Sequence, residues 1–286
     1  MSEVTVRKTP DGMKGFLFTL PALAWLATFF AAPLLAMIVI SLRDSATGQI
    51  GIGNFTRIFM EKSYESALLN SVALTATVTV ASLLLAYPLA YSIVTVLSRR
   101  MQRVALTFAV LPFWTSYVVR SYAWLLVLAP TGFLNRLLLA LGLIHTHLRL
   151  AYTPTATEIG FVHFFIMLDT LTIYASLVQI NPRLALAARD LGASSLRTFL
   201  TVTLPLSVPG IAVGAFLTIV LCLGDYVTPQ ILGGMRAIVL PQTVMMQIQK
   251  HLDLPMASAM SLVLTLIMAL AYLGLRRFLD AGERSR

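Results

Sequence analysis

The chain has 286 residues, 58% of them hydrophobic and only 12% charged, about half the ~25% charge of a soluble domain; its mean hydropathy is +0.83. That much apolar surface cannot be hidden in a water-soluble globule, so the composition predicts a membrane protein, and six spans of about 20 residues each leave no room for a fused soluble enzyme module. The net charge of +9, from 21 basic and 12 acidic residues, forms no basic run interleaved with aromatics, which excludes a nucleic-acid reader, and the single Cys222 excludes an internal disulfide.

Windows of about 19 residues predict spans near 16–42, 67–97, 104–129, 157–180, 207–232 and 257–279. The first is too long for a signal-peptide core and lacks a small-residue cleavage pattern before Arg43, so it is expected to stay attached. Pro21, Pro33, Pro88, Pro112 and Pro209 sit within or beside spans, where kinks are tolerated if neighbours satisfy the backbone. Residues 133–143 are apolar but too short to cross and read as a re-entrant or interfacial helix; 235–249, after Gly233-Gly234, is similar. Between the fourth and fifth spans, Pro182 closes the fourth and a short helix is predicted over 183–191 with Gly192 at its C-terminal cap. A second helical turn from Ser195 is expected to close before Pro205. Ala187 and Ala188 would let the first of these helices lie flat on another surface, with Arg189 and Asp190 at its edge. Gly210-x-x-x-Gly214 has the spacing of a close helix contact.

The basic residues set an orientation. With the N-terminus inside, Arg7, Lys8, Lys14, Arg99, Arg100, Arg103, Arg183, Arg189, Arg197, Arg276, Arg277, Arg284 and Arg286 fall in the cytoplasm. Arg43, Arg57, Lys62, Arg136, Arg149, Arg236 and Lys250 fall outside. Thirteen against seven predicts both termini cytoplasmic.

Signatures of chemistry are missing. No phosphate-binding G-x-x-x-x-G-K-[ST] occurs, nor H-E-x-x-H, nor G-x-S-x-G. His145 and His147 have no Cys or carboxylate cluster to complete a metal site, and His163 is expected to hydrogen-bond between helices. The chain is therefore read as non-catalytic, without metal or cofactor of its own.

Polar residues inside the spans cluster by helical phase. Trp114, Tyr117, Arg120, Ser121 and Trp124 share about 120° of arc in the third span, and Glu158, Phe165, Asp169, Thr172 and Ser176 about 60° in the fourth. Gly210, Gly214, Thr218 and Asp225, the last beside Tyr226, share about 80° in the fifth. A charge in a span costs roughly 2.5–3.5 kcal/mol, so each should face a cavity or a partner. Arg120 is expected to staple the bundle by pairing with Asp225 or Asp169. The competing arrangement puts Asp225, Asp169, Trp114, Tyr117, Arg120, Trp124 and Tyr226 along a path for an organic cation, using charge pairing and cation–π attraction. Trp25 and Tyr272 read as membrane anchors or packing.

Ala187-Ala188, three residues, Gly192, and then Leu204-Pro205 resemble the cytoplasmic "EAA" loop of binding-protein-dependent ABC importer permeases, with Val202 for the usual Ile and Leu186 for the leading Glu. The stretch from Leu111 to Trp124 is similar to the third span of spermidine/putrescine-type permeases, and that from Leu223 to Gly234 to their fifth-span exit; Gly53-Asn54-Phe55 and Asn70-Ser71 also match. The resemblance implies an all-α, six-span permease of the type I importer fold in a bacterial inner membrane. It implies a cytoplasmic segment 1–15, a permease domain 16–280 with coupling loop 181–206, and a tail 281–286. Leu186, Ala187, Ala188, Arg189, Asp190, Gly192 and Pro205 would then dock an ATPase. The implied partners are a paralogous second permease, two ATPase copies holding ATP and Mg, an extracytoplasmic solute-binding protein and membrane lipid. The solute would be a small cationic or zwitterionic compound of polyamine type, or else an opine or aminophosphonate. Two rivals are weighed against it. A secondary transporter should show inverted repeats or interrupted helices, which the sequence does not display. An intramembrane enzyme would need Asp169 and Asp225 as a carboxylate pair.

Overall fold

A computed structural model describes residues 11–44, 48–235 and 237–284. Arg7, Lys8, Arg236 and Arg286 of the charge count lie outside the described residues, as do residues 1–10 of the N-terminal segment and 285–286 of the tail. The described residues are helical apart from turns and one isolated bridge between Arg43 and Ile50. Six helical stretches are long and apolar enough to cross a membrane; the third is Tyr117–Ala140, which starts later than the predicted 104–129 and takes in residues 133–140, read from sequence as a separate short helix.

The first span joins α1 (Asp11–Leu26) to α2 (Ala32–Ser41) through a π-helical turn at Ala27–Ala31. Pro33 explains that turn, because it cannot donate to the Phe29 carbonyl and its ring crowds it. None of the span's most apolar window is buried, and it touches the bundle through α2 against the last helix. The short α3 (Gly53–Met60) is fixed by Asn54, whose Nδ2 donates to the carbonyls of Ser41 (2.9 Å) and Arg43 (2.8 Å).

The second span, α4 (Lys62–Thr95), is a single helix. The third differs from its predicted form. The 104–129 stretch is divided into α5 (Arg99–Val110), a 3₁₀ turn at Leu111–Trp114, extended Thr115 and Ser116, and α6 (Tyr117–Leu128). Pro112 accounts for the break, since it supplies no donor to continue α5. The region 133–143 forms α7 (Phe133–Ala140), a short amphipathic helix as expected. Asn135 pins it, with Nδ2 donating to the carbonyls of Ala129 (3.1 Å) and Leu148 (3.0 Å) while Oδ1 accepts from Leu148 N–H (2.7 Å).

The fourth span, α8 (Pro154–Leu177), starts at Thr153, whose Oγ1 accepts from Ala156 N–H (3.2 Å), with Pro154 in the first turn. It ends at Leu177, so Pro182 opens the next helix, α9 (Pro182–Asp190), rather than closing the fourth span. The turn α10 (Ser195–Thr198) does not close before Pro205. It continues through a π-helical stretch, Phe199–Thr203, into α11 (Leu204–Gly224). Pro205 removes the bond to Thr201 and leaves the helix widened instead of ended, as Pro33 does in the first span.

After α11 come α12 (Val227–Leu232), α13 (Leu240–Met246) with a π turn at Gln247–His251, and α14 (Leu254–Arg284). The core lies where α4, α8 and α11 meet and where α14 covers α4 and α11. Gly210-x-x-x-Gly214 is a true contact. A Cβ on Gly210 would stand 2.5 Å from Ser176 Cβ and 2.7 Å from the Thr172 carbonyl; one on Gly214 would stand 2.8 Å from Asp169 Oδ1.

Candidate functional site

Two helix interruptions lead into helices that pack together. The first is Thr115-Ser116; the second is Asp225-Tyr226, where α11 gives way to an extended residue before α12. The segments that follow them, α6 and α12, pack together, joined by Ser121 Oγ donating to Thr228 Oγ1 at 3.4 Å. Interrupted helices are thus present, although the apolar run from 104 to 129 hid one of them.

Asp225 holds the second interruption in shape. Its Oδ1 accepts from the N–H groups of Val227 (2.7 Å) and Thr228 (3.2 Å), and its Oδ2 from the Thr228 hydroxyl. The carboxylate thereby satisfies donors that open α12, and it remains half-buried rather than sealed.

Arg120 does not form the expected staple. Among the described residues it makes no ion pair, although Asp225 is near enough for its charge to act on it. Its Nη1 donates to the Pro112 carbonyl (3.4 Å) across the first interruption, and its guanidinium carbon lies 4.1 Å from the centre of the Phe164 ring. A guanidinium sits well on an aromatic face. Phe113 packs beside the same ring at 5.0 Å.

Trp114 and Tyr117, 85% and 50% exposed, project from this region, and Tyr226 is half-buried. Trp124 turns inward against His163, ring to ring at 5.3 Å. His163 makes that aromatic contact and its Nδ1 is without a hydrogen bond, so it is a packing residue here rather than the expected bridge.

Asp169 lies elsewhere. It is fully buried between α4, α8 and α11, its Oδ1 accepting from Thr218 Oγ1 at 3.1 Å. Its Oδ2 has no hydrogen-bond partner, and the neighbouring Ser82 hydroxyl donates to the Thr79 carbonyl at 3.2 Å. Rotating that hydroxyl would move its donation to the carboxylate. The structure therefore separates Asp169 from Arg120, Asp225 and the exposed aromatics, and places it inside the helix packing. It is not paired with Asp225 as a catalytic dyad would require.

A second region stands at the far end of the bundle. Asn181 Oδ1 accepts from Arg183 N–H (3.0 Å) to start α9, and Gly192 ends it with φ +83°. Gly192 N–H donates to Arg189 O (2.8 Å) and Ala193 N–H to Ala188 O (3.0 Å), the paired bonds of a Schellman cap. No residue of α9 is buried. Leu184, Leu186, Leu191 and Leu196 expose 47%, 57%, 89% and 68% of their surface, leaving apolar side chains around this loop uncovered among the described residues. Ala187, Arg189 and Asp190 are exposed beside them, and Ala188 half so. The base of this loop is anchored by Phe199, edge-on to Tyr87 (5.7 Å) and Tyr91 (5.4 Å), and by Tyr87 Oη sharing a hydrogen bond with Ser207 Oγ (2.9 Å).

These features define an all-α, multi-pass membrane protein with an interrupted-helix centre and a protruding, unpartnered loop. The family model of the binding-protein-dependent transport system inner membrane component matches residues 82–285, and the chain belongs to that family of ABC importer permeases. It is 33% identical over 254 residues to the spermidine/putrescine transport system permease protein PotB of Escherichia coli K12, covering 87% of this chain and 92% of that one. It is 31% identical over 289 residues to the inner membrane ABC transporter permease protein YdcU of the same organism, covering 95% and 91%. A crystal structure of the bacterial alginate ABC transporter, bound to an alginate-pentasaccharide-loaded periplasmic protein, superposes with a TM-score of 0.77 at 20% identity, covering 97% of this chain and 99% of that one. At that identity the likeness establishes the fold alone. The chain is a non-catalytic, multi-pass inner-membrane component, and a binding-protein-dependent system implies an ATPase and a periplasmic binding protein as partners.

Sequence reasoning missed Phe164 as the seat of Arg120 and Thr228 as the partner of Asp225. Asp225-x-x-Thr228 carries a signal that could have found the second, because Asp followed by a short helix is a capping pattern. Nothing in the sequence marks Phe164 among its neighbouring aromatics.

Proposed function

We propose that this permease passes a small organic cation of polyamine type, delivered by an extracytoplasmic binding protein, and that it works beside a paralogous second permease above two copies of an ATPase. The observation that carries the solute class is the pair of helix interruptions on elements that pack together, with the half-buried Asp225 carboxylate at one and exposed Trp114 and Tyr117 flanking the other. A carboxylate with aromatic faces attracts ammonium groups by charge and by cation–π contact. Similarity to spermidine/putrescine permeases over 87% of the chain supports the same class.

Arg120, held on Phe164 and Pro112, takes up an aromatic face within the chain and faces the cation with a like charge only partly offset by Asp225. Its place favours slender ammonium groups over bulky cations. Coupling runs through 181–206. α9 offers its exposed leucines to the ATPase, and the π-helical stretch after α10 joins that contact rigidly to α11, which leads to Asp225. Both termini are cytoplasmic, with 1–15 and 281–286 flanking the permease domain 16–280. ATP and Mg bind the ATPase, not this chain.

The test is ligand-stimulated ATP hydrolysis by the purified complete complex in lipid nanodiscs. Putrescine or spermidine should stimulate it several-fold. Stimulation by an opine or an aminophosphonate, with none by either polyamine, would overturn the cationic reading.

A further inference from the structure

At the end of the bundle opposite the 181–206 loop lies a cavity of about 130 Å³ between α4, the first turns of α8, α12 and the strand-like residues before α13. Asn70, Thr77, Thr157, Glu158, Pro229 and Val239 are among its walls. Glu158 is half-buried and, among the described residues, makes neither an ion pair nor a hydrogen bond. Thr157 is 2% exposed and its Oγ1 has no hydrogen-bond partner. Asn70 donates its Nδ2 to the Ile238 carbonyl (3.1 Å), which leaves its Oδ1 as an acceptor. The acceptors left over here are a carboxylate and an amide oxygen, while the Thr157 hydroxyl lies close to Gly233. The remaining surface is apolar, from Ala73, Leu74, Pro154, Pro229 and Val239. The volume is several times the ~30 Å³ of a liquid water.

We infer that this cavity is an outer subsite for one ammonium group of a linear multi-ammonium solute, with Glu158 as its counter-charge and the apolar wall holding the adjoining methylenes. The inference rests on the cationic reading above and extends it. An anion would meet the Glu158 carboxylate, and a neutral solute would leave that charge uncompensated in a partly apolar pocket. The Glu158 carboxylate and the Asn70 Oδ1 are acceptors, which suits an ammonium with its several N–H donors. The cavity also touches Pro229 on α12, the helix whose first turn Asp225 caps. α12 has six residues, about 9 Å of rise. Two carboxylates at this end of the bundle, Asp225 capping α12 and Glu158 in the cavity that Pro229 of α12 lines, fit a slender chain bearing two ammonium groups better than a compact single cation.

The experiment uses the complete transporter, with its binding protein, in proteoliposomes, and putrescine as the probe. Glu158→Gln should raise the KM for putrescine uptake about tenfold, with kcat within twofold and the melting temperature unchanged; Glu158→Asp should recover most of the loss. Thr77→Cys supplies a second measurement, since Cys222 is buried and is the only native cysteine. A cationic methanethiosulfonate should label it about tenfold faster than an anionic one of similar size, putrescine should protect it, and adding Glu158→Gln should remove the preference. An unchanged KM in Glu158→Gln, or labelling indifferent to reagent charge, would overturn the subsite while leaving the cationic reading intact if wild type still takes up putrescine. A lowered melting temperature in Glu158→Gln that Arg236→Gln restores would reassign Glu158 to an internal ion pair and overturn the subsite too. Absence of any polyamine uptake by wild type would overturn the cationic reading first, and the subsite with it.

Discussion

Gly210→Ala places one methyl group where the structure has no space for it. The new carbon would stand 2.5 Å from Ser176 Cβ, 2.7 Å from the Thr172 carbonyl and 3.2 Å from Ile173 Cα. Ordinary carbon contacts are about 3.5–4.0 Å, so α8 and α11 must part by about 1 Å. Two of the three neighbours are backbone atoms, which no rotamer change can move. Overpacking of this kind costs about 1–3 kcal/mol, and a gap of that width forfeits roughly a quarter to a half of the dispersion energy along the seam. Replacing glycine in a helix returns about 0.5–1 kcal/mol. The net loss is about 0–2.5 kcal/mol, or up to roughly 10 °C in melting temperature, and the full overpacking cost shows in the difference from a glycine replaced without a clash. The control is Gly274→Ala, where a Cβ meets nothing within 4 Å, so only the helix gain remains and the melting temperature should hold or rise. Both variants are compared in the purified complex by fluorescence-detected size-exclusion thermal challenge. A Gly210→Ala variant as stable as Gly274→Ala would refute the claim that close backbone approach fixes the α8–α11 seam.

Gly192→Ala forces an L side chain into φ +83° at a cost of about 1–2 kcal/mol, and nothing else lies within 4 Å of its Cβ. Because no residue of α9 is buried, its last turn can fray to relieve that strain without unfolding the bundle, so co-purification of the ATPase should fall, more for Gly192→Val, while the permease itself melts as before; Leu186→Glu, which restores the residue usual in this loop, should bind and transport normally. Arg120→Gln and Asp225→Asn, combined in a double-mutant cycle read by melting temperature, should show a coupling below about 0.5 kcal/mol, because the two do not pair. Asp225→Asn keeps an acceptor for Val227 N–H and should lose uptake more than stability, whereas Asp225→Ala should also lose about 0.5–2 kcal/mol of capping energy. Asn135→Leu removes all three bonds that hold α7 to its loop and leaves buried backbone groups unpaired, so hydrogen exchange across 129–150 should accelerate while α4, α8 and α11 stay protected.

Much of this molecule is written in local chemistry. Six apolar runs specify six crossing helices because the bilayer leaves a lone segment no other way to satisfy its backbone. Gly192 announced the end of α9, since its left-handed conformation is one that glycine adopts without strain. The small-residue spacing at Gly210 and Gly214 told of a close contact, because absent side chains matter only where another helix approaches.

What the sequence left open depended on which residues meet across helices. Hydropathy could not locate the break at Thr115-Ser116, since a window averaged across it is apolar enough for a continuous span, nor could it show that π-helical widening would carry the chain past Pro205. Helical phase put Arg120, Asp169 and Asp225 each on a polar arc, yet phase within one helix says nothing about distance between helices. Packing decided that Asp169 is sealed against Thr218, that Arg120 rests on Phe164, and that Asp225 is spent largely on opening α12. Glu158, one of several polar residues on its arc in sequence, acquired its surroundings only when α4 and α12 closed around it, because a cavity is a property of neighbours that the chain brings together from far apart.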